Sequence, residues 1–443
     1  MNAPSKAARL ALMASLLLTP LTGCDSSAGR PLEEPLPLPS TPPVDPDPST
    51  PGEPTGQLTV SLQGLGEGYS LTAMRLRPNT PAEEAALAVP AGATELMLTY
   101  KPEESLSVTV NAPDGTVERL VFGANADKGH SASGRILHVP VGYSTIQAAI
   151  NAASAGDTVL VRPGTYSEHV RLKRGVRLQG VQARETVLKA SEVGKPIVDL
   201  TEAPGSMVTG FTFQGAAAPQ DLPMCSRLNG DECYCVRGSA VYADGHDWFY
   251  PPLGGHYSDG FGGGGTLPSV SPPALVTQNI FKDNYIGVGL YFHPLVHVRN
   301  NIFLRNRGGV VAKCFQDRTL IANNVFYENQ DAGILSEAGY LDIINNIIVR
   351  SPEAISWDFI QTGLVRCNLF SENGSEGTRV TIGQDGNLLG DPRFVSPGQG
   401  DFRLAPGSPA KDTGCFQGTA YDVDGSPQDR GIHGGSWGRW MDP

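Results

Sequence analysis

Charged side chains are scarce, making up 18 % of the 443 residues against the roughly 25 % of ordinary domains. The basic sign is the scarcer one. With 33 Lys and Arg against 45 Asp and Glu, the net charge is −12, which excludes a face built for nucleic acid or for an anionic lipid surface. Beyond residue 23 no run is apolar enough to cross a bilayer as a helix. Coiled coils and helical bundles are excluded as well, because the 53 Gly and 36 Pro take up about a fifth of the chain. The length allows two or three domains of ordinary size.

What is present begins with an export signal over residues 1–23. Lys6 and Arg9 charge its start, and Leu10 to Leu18 form an apolar run too short to remain in a bilayer. The run leads into Leu21-Thr22-Gly23-Cys24, which resembles the lipobox of bacterial lipoproteins. The resemblance implies cleavage before Cys24, acylation of its thiol and membrane attachment through that lipid alone. Residues 24–56 carry ten prolines between Pro31 and Pro54 without apolar periodicity. They read as an extended tether with a reach of roughly 90 Å, at about 3 Å per residue. The expected address is the bacterial cell envelope, at the outer membrane surface or in the periplasm.

Residues 57–128 change to strand patterns. Leu58, Val60 and Leu62 alternate, as do Leu106, Val108 and Val110, and Asp114-Gly115 precedes Val117 as a hairpin signal. A small antiparallel, sandwich-like β domain is expected there. It has no Cys or His, so a spacer or adhesive role fits it.

From Thr145-Ile146-Gln147-Ala148-Ala149-Ile150-Asn151, through Gly156-Asp157-Thr158-Val159-Leu160-Val161, to Pro163-Gly164-Thr165-Tyr166, the pattern is one short amphipathic helix, a turn and a buried strand. This is similar to the opening of right-handed parallel β-helix proteins of the pectin-lyase-like class, where the helix covers the open end of the first coil. Esterases and copper-site maturation proteins share that opening, so it implies a fold and no reaction. The repeats point the same way. Asn279-Ile280-Phe281, Asn301-Ile302-Phe303, Asn324-Val325-Phe326, Asn346-Ile347-Ile348 and Asn368-Leu369-Phe370 recur at spacings of 22, 23, 22 and 22 residues. A constant period of this size is one coil of a solenoid, with coils stacked about 4.8 Å apart. The expected fold is all-β: a right-handed parallel β-helix over 136–433 with an insertion at about 215–272, preceded by the small β domain and followed by a tail at 434–443. The doubled Asn at 300–301, 323–324 and 345–346 suits a bend that needs a left-handed residue and a side chain bonding its counterpart one coil away.

The register exposes two outward columns. Asp283, Arg305, Glu328, Arg350 and Glu372 alternate in sign and neutralise one another. Tyr291, Lys313, Glu337 and Asp358 do not, and Val288, Val310, Ile334 and Ile355 point inward beside them. Glu337 and Asp358 on neighbouring coils invite a cation, calcium by its preference for carboxylate oxygen. With Lys313 as base the same three residues make the candidate catalytic set of a calcium-dependent polysaccharide lyase or epimerase. Tyr291 would border a bound glycan. The insertion adds Trp248, Tyr250 and Tyr257, whose rings can stack on sugars, and His256 nearby. His246, Asp247, His256 and Asp259 follow no recognised metal spacing.

Without Cys24, six cysteines remain, an even number suited to an oxidising compartment. One bridge is expected among Cys225, Cys233 and Cys235, and Cys314 falls at an inward position. The phrases Gly390-Asp391-Pro392-Arg393-Phe394, Gly400-Asp401-Phe402-Arg403-Leu404 and Pro406-Gly407-Ser408-Pro409-Ala410 resemble the closing segment of secreted bacterial β-helix proteins, which implies a cap on the last coil. Asp422-Val423-Asp424-Gly425 reads as a turn. The catalytic signatures of polygalacturonases and pectin methylesterases are missing, and Phe292-His293-Pro294 lacks the Asp of the mannuronan epimerase signature. The expected function is a lipid-anchored monomer that binds polysaccharide along its solenoid. A lyase or epimerase and a non-catalytic envelope or adhesive protein are the alternatives.

The anchor is testable by itself. Cys24→Ser should leave the protein unprocessed or released in soluble form, because the tether has no membrane affinity of its own. Equal membrane partitioning of the two forms in cell fractionation would show that Cys24 is not the attachment.

Overall fold

The computed structural model describes residues 135–435 except 219–237, 245–272, 292–295, 314–318, 338–340, 358–362, 416–421 and 423–425, together with strands between 56 and 123. The early strands form two antiparallel sheets. Gly56–Ser61 pairs with Glu95–Tyr100, and Ser70–Leu76 lies between Glu83–Leu87 and Ser105–Asn111. Ser105–Asn111 then pairs with Val117–Gly123, so the chain reverses direction where Asp114-Gly115 predicts a hairpin.

Residues from Ile136 onward wind into a right-handed parallel β-helix. Among the described residues two sheets have nine strands each and a third has seven. A typical coil runs through Val296–Arg299 on the first face, Ile302–Leu304 on the second and Gly308–Lys313 on the third. Strands pair in parallel with their counterparts one coil away. The helix Ile146–Ala152 is started by Thr145, whose side chain accepts from the Ala148 N–H, and it buries Ile146, Ala149 and Ile150 against the first coil. Glu168 satisfies two further orphan donors, the N–H groups of Ile146 and Gln147 at 3.0 and 3.1 Å. Arg135 clips the chain to the end of this unit through Asp157 at 2.7 Å.

Two asparagine ladders set the coil spacing. In the first, Asn301 Oδ1 accepts from the backbone N–H and Nδ2 of Asn279 at 3.0 and 3.2 Å. Asn301 then donates to Asn324 in the same way. The pattern continues through Asn346 and Asn368 to Asn387. The preceding residue takes the left-handed conformation: Gln278, Asn300, Asn323, Asn345 and Cys367 all have φ between 51° and 57°. The doubled asparagines thus divide the two tasks, one bending the chain and the other bonding along the stack. A second ladder, not anticipated, runs through Asn284, Asn306 and Asn329 at the next turn. It resumes at Asn373, which accepts from Ser351 N–H. Ser351 itself is buried, and its hydroxyl has no partner among the described residues.

Between the ladders the interior of the central coils is filled by a column of rings, with Ile348 in the ring's place between Phe326 and Phe370. Phe213, Phe281, Phe303 and Phe326 stack with centroids 4.7–5.1 Å apart, each such contact adding about 0.5–1.5 kcal/mol beyond burial. Gly309 sits where a Cβ would lie 2.6 Å from Phe326, so the ring leaves no space for a side chain there. Val288, Val310, Ile334 and Ile355 are inward and inaccessible, as expected. Trp357 packs against the same core and is only partly buried.

The structure departs from the sequence expectations at three places. The interval 215–272 is not one insertion, because Ser239–Asp244 within it is a strand of the third face, paired with Ile286–Tyr291. The closing segment does not cap the last coil. That end is crossed by residues 374–387, whose Val380 packs on the core. The segment from Phe394 to Ile432 instead folds back along the outside of the second face, where Ile302, Leu304, Val325, Tyr327, Ile347, Val349 and Leu369 form an apolar outer surface covered by Phe402, Ala410 and Ile432. Its grip is the left-handed column: Asn345 bonds Cys415, Asn323 bonds the Asp429 carbonyl, and Asn300 bonds the carbonyls of Ile432 and Gly434. The disulfide Cys367–Cys415 closes this strap over a sequence separation of 48, a loop whose closure is worth about 4 kcal/mol. The Asp422 carboxylate accepts from Asp429 and Gly435 N–H, and residues 423–425 of the expected turn lie outside the described residues. The third departure is the burial of Lys313 on the third face.

Two substitutions test this architecture. Ser351→Asn should complete the second ladder and raise stability by about 1–2 kcal/mol, the worth of one or two net hydrogen bonds; an unchanged or lower melting temperature would contradict the ladder geometry. Ile334→Asp buries a carboxylate between coils and should cost several kcal/mol, whereas Leu335→Thr on the outer side should melt close to wild type.

Candidate ligand-binding face

Each face presents a different outer surface. The second is under the strap. The first carries Arg177, Gln179, Thr209, Thr277 and Arg299, and every one is more than nine-tenths buried. Burial lowers the Arg177 pKa to about 10. The third face keeps partly exposed groups: Tyr285, Tyr291, Arg307, Asp331 and Leu335.

At its turn side Tyr285, Arg307 and Asp331 stand on successive coils. Backbone bonds carry them one above another, Arg307 N–H to the Asn284 carbonyl at 2.9 Å, Gly308 N–H to the Tyr285 carbonyl at 3.0 Å, and Asp331 N–H to the Arg307 carbonyl at 2.9 Å. The guanidinium of Arg307 lies 5.5 Å over the Tyr285 ring, and its Nε donates to Asp331 Oδ2 at 2.7 Å. Next to this column the outer surface is apolar, with Tyr242, Ile286 and Val311 forming a small cluster joined by Tyr285, Tyr291 and Leu335. At the far side Asp244, Tyr291, Lys313 and Glu337 are in register, and the Tyr242 hydroxyl donates to Asp244 at 3.2 Å.

Strand register thus puts Tyr291, Lys313 and Glu337 on successive coils, with Asp244 one coil earlier. Lys313 is the correction: its parity is outward, but it is only 4 % exposed, not part of a solvated face. Outward does not mean wet on this strand, since Val311 two residues earlier is covered to the same degree. Asp358, Trp248, Tyr250, His256, Tyr257, Cys314 and Cys24 lie outside the described residues. The sign-alternating column stands at the neighbouring turn, with Asp283, Arg305, Glu328, Arg350 and Glu372 all left-handed. Arg305 grips Asp283 with Nε and Nη2. Arg350 reaches Glu372, Tyr327 and Glu328, and the Glu372 bond above all, with the nearby Tyr327 next, raises its pKa. Tyr285, Arg307 and Asp331 escape a fixed-offset reading because the first two stand six residues after Asn279 and Asn301, while Asp331 stands seven after Asn324. Gln330 is the extra residue, and Asp331 becomes visible only when one position is allowed for it.

The matched region is the central stack. Residues 265–396 match the family model described as periplasmic copper-binding protein (NosD). No curated protein matches the chain by sequence. Among solved structures, similarity is found to the catalytic unit of a thermostable α-1,3-glucanase from Streptomyces thermodiastaticus, with 15 % identity, 76 % of this chain and 68 % of that one covered, and a TM-score of 0.35. A pectin methylesterase from Erwinia chrysanthemi gives 11 %, 61 %, 98 % and 0.23, and the A-module of a mannuronan C-5 epimerase from Azotobacter vinelandii 13 %, 52 %, 68 % and 0.25. Among the described residues no three His, Cys, Asp or Glu side chains come together to hold a metal ion. The described strands of the third face carry neither His nor Cys, the soft and borderline donors that copper takes. No described helix is long and apolar enough to cross a membrane.

Proposed function

We propose that the protein is an extracytoplasmic, lipid-anchored β-helix that holds polysaccharide on the outer surface of its third face. The observation that carries this reading is the group of partly exposed side chains Tyr285, Tyr291, Leu335, Arg307 and Asp331 on the outside of the solenoid, seated on the buried Tyr242, Ile286 and Val311. Sugars present an apolar C–H face and a rim of hydroxyls. Partly exposed tyrosine rings and a leucine, with a few fixed donors and acceptors beside them, are complementary to both. The parallel sheet keeps this surface flat and its side chains in columns, which suits a long chain better than a small molecule. The 4 % exposure of Lys313 favours binding over lyase chemistry, since a general base must reach the proton it removes. Anchoring through Cys24 and a tether would hold the face outward from the lipid.

A glycan array with the purified protein, followed by ultraviolet detection of unsaturated products, tests the reading. Binding without product is expected. Product formation would instead make it a lyase, and failure to bind any glycan would leave an envelope or adhesive protein. The same array repeated with calcium and with Glu337→Gln tests the expected cation at Glu337 and Asp358: a calcium-dependent gain that disappears in the variant would establish it.

A further inference from the structure

The polar groups of the third face bear on which glycan it takes, an inference that rests on the glycan-binding function proposed for that face. Arg307 and Asp331 differ from the other charged pairs of the coil turns. Arg305 spends both an Nε and an Nη on Asp283, and Arg350 divides its nitrogens among Glu372, Tyr327 and Glu328. Arg307 uses only Nε, toward Asp331 Oδ2 at 2.7 Å. Its two terminal nitrogens and Asp331 Oδ1 make no other hydrogen bond among the described residues. The group is nevertheless held in place, by the carboxylate at one edge and by the Tyr285 ring 5.5 Å from its centre, so little freedom remains to be lost on binding. Both partners are partly exposed, with 41 % and 36 % of their side-chain surfaces accessible.

A donor fork and an acceptor oxygen are thus fixed side by side, next to the partly exposed Tyr285 and Leu335. Two adjacent sugar hydroxyls match this arrangement, one accepting from an Arg307 Nη and the other donating to Asp331 Oδ1. A carboxylate or sulfate does not. Arg307 is already neutralised by Asp331, Glu353 follows on the next coil with its N–H on the Asp331 carbonyl, Asp244 at the far side is in register with Tyr291, one coil before the buried Lys313, and the whole chain carries −12. We infer that the third face selects a neutral polysaccharide with vicinal hydroxyls, and that Arg307 and Asp331 are the residues that read the diol beside Tyr285 and Leu335.

The test compares dextran, dextran sulfate and polygalacturonate on the full chain, at low and high salt, with and without calcium. Dextran should bind, with an affinity indifferent to calcium and nearly indifferent to salt. Arg307→Gln and Asp331→Asn should each weaken it roughly tenfold, about the worth of one hydrogen bond to a charged group. Arg307→Lys should do the same, because it keeps the charge and loses the fork. Arg305→Gln should have no effect, and O-methylated dextran should not bind. Melting temperatures of the variants separate a lost contact from a lost fold. Binding of dextran sulfate or polygalacturonate in preference to dextran, dependent on calcium or falling steeply with salt, overturns the neutral-glycan inference and leaves a polysaccharide-binding protein. Dextran binding that Arg307→Gln and Arg305→Gln leave equally intact overturns the role of the Arg307–Asp331 pair. No binding of any of the three overturns the glycan-binding function on which the inference rests.

Discussion

The buried asparagine ladder is the constraint on which the rest of the molecule depends. Each rung Oδ1 takes two donors from the coil before, and each Nδ2 gives one bond to the next Oδ1 and one to a backbone carbonyl, as Asn301 does with Asn324 and Val276. An amide is the side chain that can do both at once, since a carboxylate has no donor and a hydroxyl only one. The net worth of a single buried bond is about 1 kcal/mol, yet the ladder repeats it coil after coil and leaves no freedom in the offset between neighbours. Where Ser351 interrupts the second ladder, backbone pairing and the adjoining Asn373 still keep the stack aligned.

Once the offset is set, the identity of each face depends on what must be covered. The aromatic stack fills the interior. The residues flanking each ring on the second face, Ile302 and Leu304 beside Phe303 for example, then point outward although they are apolar. A solenoid with such a face needs a cover, and the strap from Phe394 to Ile432 supplies it, clasped by Asn300, Asn323 and Asn345 and bridged to the stack by Cys367–Cys415. The left-handed column therefore has a second use: it bends the chain, and it presents amides that the strap's backbone can bond. The second face is occupied and the polar stripe of the first face is buried, while the third face keeps tyrosines and an ion pair partly exposed.

The chemistry available there is that of recognition. Arg307 and Asp331 stand as neighbours of opposite sign on successive coils, which cancels much of their long-range field and leaves directional donors and acceptors. Tyrosines and aliphatic side chains alternate with them along the strands. Such a surface discriminates by hydrogen-bond geometry and shape, and gains little from electrostatic attraction at a distance. The excess of carboxylates in the chain has the same consequence for an acidic partner.

Much of this was determined by the sequence alone. The 22-residue recurrence of Asn followed by an apolar pair required a solenoid, because only stacking buries one such unit. Parity within each strand placed Val310 and Ile334 inside, and the Asp114-Gly115 pair placed the early hairpin. The sequence also contained the second ladder, at a constant five residues after each motif position, with Ser351 as its gap. What the tertiary structure alone decided concerns contacts between segments with no common period. The strap could lie across the end of the stack or along its side, and the apolar outer surface of the second face selected the side. Cys367 could pair with any of several thiols until the strap brought Cys415 to the same turn. Lys313 had the right parity for an exposed base, but exposure depends on what packs over a strand, and no pattern within the strand records it. Tyr285, Arg307 and Asp331 came together because the extra residue Gln330 is absorbed in the turn between coils, where backbone bonding restores the register that the spacing in the chain had broken.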